Sequence, residues 1–192
     1  SYVAVDTLYT DHSQGIFHKT DNPLDLALEG DGFFEIETPQ GIRYTRNGNF
    51  RLDTGKNLVT QDGNFLLDKN KQKIKIEDNS GKIDFGPDGT ISVGNGFGNQ
   101  PAGTLSLVKF EDTSGIAKEG NGLYKIMDSK IKPIPADNIK VAQGVLERSN
   151  VNSIEEMTNM ITAIRAFEAY QKVIQTIDEA DDQAVNSIGR VV

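Results

Sequence analysis

The sequence predicts a mainly β protein that ends in one long α-helix. Three observations carry that prediction. Short apolar runs from Leu24 onward are separated by Gly-containing turns roughly every eight to twelve residues, the spacing of a compact, turn-rich sandwich or barrel-like domain. From Ser153 to Val192 there is no Pro, and Gly189 is the single Gly. In that stretch Met160, Ala163, Phe167, Tyr170, Ile174 and Ile177, then Ala184, Ile188 and Val191, recur at alternating steps of three and four, a heptad rhythm broken where Asp181 takes a seam position.

Residues 1–23 read as an extended N-terminal segment with short strands. Asn22-Pro23 favours a turn, because the proline ring pushes Asn22 out of the helical region. Residues 24–148 read as the β domain. Leu24, Leu26 and Leu28 alternate up to a Gly30-Asp31-Gly32 turn, and Phe33 to Glu37 forms a strand that turns at Pro39-Gln40-Gly41. Ile42 to Arg46 follows, and Asn47-Gly48 is a strong hairpin signal. Turns at Gly55, Asp62-Gly63 and Asp88-Gly89 separate strands at Asn49 to Leu52, Leu58 to Thr60, Phe65 to Leu67, and the Ile74, Ile76, Ile83, Phe85, Ile91 and Val93 runs. Gly94 to Ala102 reads as a loop. Leu105 to Phe110 and Leu123 to Ile126 are strands, Pro133 and Pro135 mark a surface connection, and Val141 to Leu146 is a last extended run. Residues 149–192 form the helical segment. Ser153 and Glu156 are spaced as a capping box, in which the hydroxyl accepts from the third helical amide and the carboxylate returns to the cap amide. Forty residues at 1.5 Å each span about 60 Å, roughly twice the width of a small domain. So long a helix has little of its own chain to pack on, which points to completion by another chain.

A chain of 192 residues with a net charge of −8 and 36% apolar residues builds a modest core and lacks the basic patch of a nucleic-acid binder. Lys69, Lys71, Lys73 and Lys75 alternate like a solvated strand face. No apolar run approaches the ~18 residues of a membrane span, and without Cys there is no disulfide, thiol nucleophile or thiolate site. The first residue is Ser1 and no signal peptide precedes the β pattern. His12 and His18, the two histidines, have no third ligand at metal spacing and read as surface residues. Gly94-Asn95-Gly96-Phe97-Gly98 lacks the third Gly and the following helix of a dinucleotide loop, and no Asp-Gly turn carries the ligand spacing of a calcium loop. No catalytic residue, metal, cofactor, nucleic acid or small-molecule substrate is therefore assigned. Asp181 has two readings: a polar seam residue that sets register, or the point where packing ends near Ile177.

Three blocks, in order, carry a resemblance. Asn22-Pro23-Leu24-Asp25-Leu26-Ala27-Leu28-Glu29-Gly30-Asp31-Gly32-Phe33-Phe34 resembles the opening of the central domain of bacterial flagellar rod and hook proteins. Tyr44-Thr45-Arg46-Asn47-Gly48-Asn49-Phe50 with Leu58-Val59-Thr60 is similar to the next family block. Gly144-Val145-Leu146-Glu147-Arg148-Ser149-Asn150-Val151-Asn152, with Arg165-Ala166-Phe167-Glu168, is similar to the C-terminal one. The compact middle excludes a hook subunit. The opening Asp6 to Gly15 looks most like a proximal rod subunit, with a distal rod subunit as the alternative. Two departures stand out: the family's N-terminal helix is absent, and Gly55 falls one residue early in its turn.

The resemblance implies a non-enzymatic, self-assembling structural subunit of the basal-body rod. It would be exported through the flagellar secretion channel without a cleaved signal and would contact itself, other rod and hook-family subunits and the export apparatus. Its terminal helices would line an inner tube that transmits torque, with Met160, Ala163, Phe167, Tyr170, Ile174 and Ile177 as the assembly seam. A β binding module with a coiled-coil oligomerisation tail is the competing reading. It needs exposed aromatics, yet Trp is absent and aromatics are 7% of the chain.

Overall fold

A computed structural model describes residues 10–76, 81–94, 98–128, 130–136 and 138–188, with side chains described as far as residue 183. The chain divides into two compact units, Ser1–Asn150 and Val151–Val192. The first holds β1 (Phe17–Lys19), β2 (Leu26–Glu29), β3 (Phe33–Thr38), β4 (Gly41–Thr45), β5 (Phe50–Leu52), β6 (Leu58–Thr60), β7 (Phe65–Leu66) and β8 (Ile83–Phe85). It continues with β9 (Thr90–Gly94), β10 (Asn99–Thr104), β11 (Leu107–Lys109), β12 (Ile116–Gly120), β13 (Leu123–Ile126), β14 (Ile134–Pro135), β15 (Lys140–Gln143) and β16 (Val145–Glu147). The second holds α1 (Ser153–Ile188).

The largest sheet has the order β12-β13-β4-β3-β7-β6-β5 and stays open, so the β unit is sheet-built but not a closed barrel. Strand β3 is its hub. One edge pairs with β4 through the Pro39-Gln40 hairpin, Thr38 facing Gly41. The other edge is shared, its first half by β11 and its second by β7. Its residues alternate at period two. Phe34 and Ile36 enter the main core with Leu26, Leu28, Phe50, Leu58, Leu66, Ile76 and Ile91. Phe33 enters a second cluster with Tyr44, Val108, Phe110 and Ile116. Each Leu- or Phe-sized side chain so buried contributes about 1.5–3 kcal/mol. Glu35 shares the second face and is only 1% exposed. It is kept there by Lys71 and by the Ser106 hydroxyl, which donates to Oε2 at 2.7 Å. The alternating lysines are thus not a merely solvated face: Lys71 pairs with Glu35, and Lys73 with Glu37 at 3.1 Å while lying over the Phe65 ring.

Several local expectations need correcting. Asn47-Gly48 is not a hairpin turn, since β4 and β5 do not pair. Gly48 lies against β2, where its carbonyl accepts from the Leu26 amide at 3.0 Å and an added Cβ would stand 1.7 Å from the Leu26 carbonyl oxygen. It is Gly for close backbone approach, not for a left-handed φ. Residues 99–104 form β10 rather than loop, paired with β9; residues 95–97 of the expected phosphate-like loop lie outside the described residues. Strand β12 has no counterpart in the expected elements. Ile74 and Ile76 are buried, but their run makes isolated bridges rather than a strand. The turn at residues 53–57 explains the displaced glycine: Lys56, not Gly55, takes the left-handed conformation, at φ 65°.

Candidate assembly surfaces

Among its described side chains, helix α1 hides no apolar residue. Met160 is 63% exposed, Phe167 62% and Tyr170 72%, and Ile174 and Ile177 are similarly bare. Ala163 is exposed as well. The six expected seam residues therefore form one unpartnered row along the described helix. Sequence reasoning missed a second row, Ile154, Met157, Ile161 and Ile164, also exposed. Its signal was present, since the steps are again three, four and three. At 100° per residue it lies about a third of a turn from the first. It ends where Glu168 takes the next position. From Met157 to Ile164 the apolar surface is thus two rows wide, and from Phe167 to Ile177 one row. Thr158, Thr162 and Thr176, on the other side, return their hydroxyls to the carbonyls four residues back, at 2.8–2.9 Å. The described helix runs through Asp181 to Ile188, while Gly189 to Val192 lie outside the described residues, as do the side chains of Ala184 and Ile188.

The cap sits one residue earlier than the sequence pattern proposed. Asn152 occupies the cap position: its Oδ1 accepts from the Ile154 amide at 3.2 Å and its carbonyl from the Glu156 amide at 3.0 Å. Ser153 is then the first helical residue, and Glu155 and Glu156 lie in the first turn, where the helix dipole favours acids. The local reason is that Asn outranks or equals Ser as a cap, and Asn152 precedes Ser153.

The second surface is a junction in the β unit, where the family-like motifs meet. Strand β1 pairs antiparallel with β16, Phe17 facing Glu147, so the chain entering the unit and the chain leaving it run side by side. Arg46 locks this ribbon to the sheet. Its Nε donates to Glu147 Oε2 at 3.0 Å, and its Nη1 donates to the carbonyls of Gly30 and Gly32 at 3.2 Å. The side chains of Arg46 and Glu147 are 13% and 9% exposed. Glu147 Oε1 also accepts from the Gly15 amide at 2.8 Å, and Asn150 Nδ2 donates to the Ser13 hydroxyl at 2.9 Å. Gly30 is left-handed at φ 109°, which turns its carbonyl toward the guanidinium, and a Cβ on Gly32 would stand 2.0 Å from Ile139. Thr45 donates its hydroxyl to Gly122 at 2.9 Å and accepts from the Asn47 amide. Phe33, Tyr44, Phe110 and Tyr124 pack edge-on behind the junction, with centroids 5.0–5.6 Å apart. The Tyr44 phenol is pushed up to about 12 by burial first and by the Glu35 carboxylate second. Of the remaining motif residues, Phe34 is in the main core, and Asp31, Ser149 and Val151 are exposed.

No acid–base or metal chemistry is laid out in this arrangement. Among the described residues, no group of three or more His, Asp or Glu side chains is placed to hold a metal. A cavity of about 750 Å³ lies over Ser106, Leu107, Pro133, Pro135 and Ile139. Of the polar groups beside it, Ser106 and Lys71 bond Glu35, and Asp88 accepts from Thr90 with Lys69 near enough to lower its pKa. No described helix is long and apolar enough to cross a membrane.

Comparison with known proteins agrees with this arrangement. Residues 27–93 match the flagellar hook protein FlgE/F/G D1 domain, and residues 142–187 match the flagellar basal body rod FlgEFG protein C-terminal region. The chain is 37% identical to the flagellar basal-body rod protein FlgG of Bacillus subtilis (strain 168) over 187 residues, 94% of this chain and 71% of that protein. It is 40% identical over 176 residues to FlgG of Buchnera aphidicola subsp. Acyrthosiphon pisum (strain APS), 88% of this chain and 66% of that protein. It is 35% identical over 179 residues to the rod protein FlgF of Caulobacter vibrioides, 93% of this chain and 71% of that protein. The chain thus spans between 66% and 71% of the length of these relatives. Two matched regions in order, with the Arg46 junction joining them, make this chain a member of the FlgF/FlgG flagellar basal-body rod protein family.

Proposed function

We propose that the chain is a non-enzymatic structural subunit of the flagellar basal-body rod, at the FlgG or the FlgF position. The observation that carries the proposal is the unpartnered apolar surface of α1 in a member of a rod-protein family. In water, two exposed rows of Ile, Met, Phe and Tyr favour association, and the heptad steps set the geometry in which knobs of one helix fill holes of another. The row from Met160 to Ile177 serves as the assembly seam. The Ile154 to Ile164 row gives the first half of the helix room for a second neighbour. Each buried seam residue contributes about 1.5–3 kcal/mol, part of which is offset by the freedom lost on association.

In this reading the subunit assembles with itself and with other rod and hook-family subunits into the axial tube that transmits torque. It reaches the rod through the flagellar secretion channel. The β unit supplies lateral contacts, and the Arg46 junction holds its first and last strands together.

Phe167→Asp and Ile174→Asp test this in cells. Each variant is expected to be produced with a folded β unit, yet to leave cells non-motile and basal-body preparations without a complete rod. Normal rods and normal swimming at normal expression would overturn the seam.

A further inference from the structure

The chain from residue 10 to residue 16 forms a strap laid over the β unit. It is held by Gln14 Nε2 donating to the Leu28 carbonyl at 2.7 Å, by the Gly15 amide on Glu147, and by Asn150 on Ser13. His12 is its one ring. The imidazole lies edge-on to Phe33, with centroids 5.9 Å apart, and tilted against Tyr124 at 5.4 Å. Its Nδ1 is buried and has no hydrogen-bond partner among the described residues. Sequence reading placed His12 at the surface; the structure makes it the plug of an aromatic recess.

We propose that His12 is an acid-sensitive latch: at neutral pH the uncharged imidazole holds residues 10–16 against the β unit, and protonation releases them. The neutral ring loses little by leaving a buried Nδ1 lone pair unpaired. Protonation puts an N–H donor and a positive charge at the same place, which is costly without an acceptor. Among the described residues, the charged groups around it do not supply one. Arg46, beside the junction, and Lys118, on β12, repel a second cation. Glu147, on β16, already serves Arg46 and Gly15. Tyr124, on β13, stays a neutral phenol, its ionisation opposed by burial. Among the described residues, Asp11, on the strap, is the one facing group that favours the charged ring. It already accepts from the Ser13 amide at 2.8 Å.

Burial first, then Arg46, hold the His12 ring below its ordinary value of 6.5, against the opposing pull of Asp11. The released strap therefore takes up a proton more readily than the docked one. The docking constant is highest well above pH 6.5, falls as pH drops through it, and levels off once the docked ring also protonates. The docking constant falls in all by the ratio of the two acid constants.

The test is an NMR titration of the imidazole protons in the full chain, with amide exchange of residues 12–16 followed over the same pH range. His12 is expected to titrate below 6.5. Amides of the strap should lose protection as it does so, while β3 and β4 keep theirs. His12→Phe, which fills the recess without titrating, should stay protected through acid. If the larger ring itself loosens the strap, the wild-type titration decides. A His12 midpoint at or above 6.5, or the same acid-dependent loss of protection in a docked His12→Phe strap, would overturn the latch.

Discussion

At the scale of single residues, two backbone positions are set by opposite demands. Lys56 holds a left-handed φ of 65° in the turn between β5 and β6, with Gly55 beside it in an ordinary conformation. A non-glycine residue there costs about 1–2 kcal/mol, and a glycine returns some of that through unfolded-chain entropy, about 0.5–1 kcal/mol. Lys56→Gly is therefore expected to raise stability by up to about 1 kcal/mol, read as a higher urea midpoint at unchanged slope. Gly48 is the converse. Its Cα lies so close to β2 that a methyl group meets the Leu26 carbonyl oxygen at 1.7 Å. Gly48→Ala must push the two segments apart and weaken the Leu26 N–H to Gly48 carbonyl bond. A loss of about 2–4 kcal/mol is expected, and a midpoint within error of wild type would show that the segments separate freely.

At the scale of elements, what could be read from the sequence was what is local. Strand β3, its Pro39-Gln40 hairpin and the Asp62-Gly63 and Asp88-Gly89 turns were legible because alternation and positive-φ glycines act within a few residues. The helix was legible because its apolar steps run uninterrupted for many turns. Strand β12 was not, since Ile116-Ala117-Lys118-Glu119-Gly120 carries one core-facing apolar residue and owes its conformation to β13. Asn47-Gly48 misled because the pair signals local tolerance for a turn, whereas this glycine answers to Leu26, 22 residues earlier in the chain. Least legible was the junction. Arg46 and Glu147 stood inside two of the family-like blocks, but nothing in either block states that they meet. Removing Glu147 leaves a largely buried guanidinium without its counter-charge. Glu147→Ala is therefore expected to cost roughly 3–5 kcal/mol. Exchange should rise first at Phe17–Lys19 and Val145–Glu147, the β1–β16 ribbon. An equal rise across all strands, with no preference for the ribbon, would mean that the pair stabilises the unit without positioning its ends.

At the scale of the whole molecule, the two units differ in how they satisfy their apolar surface. The β unit buries its own in two clusters. Helix α1 leaves Met157, Met160, Ile161, Ile164, Phe167, Tyr170, Ile174 and Ile177 exposed. A helix of 36 residues with so much apolar surface is stabilised mainly by what packs on it, because isolated helices gain little from propensity alone. The two units should therefore part company in solution. A chain ending at residue 150 is expected to remain monomeric in sedimentation, to keep the β signal in circular dichroism and to unfold in one cooperative step. The full chain should gain helical signal with rising concentration and sediment as larger species. Ile164→Ser with Ile174→Ser should return it to a monomer with a frayed helix and an unchanged β unit. A full chain that stays monomeric at every concentration with its helix fully protected from exchange would show that α1 is stable alone. Its exposed rows would then no longer count as a surface awaiting partners.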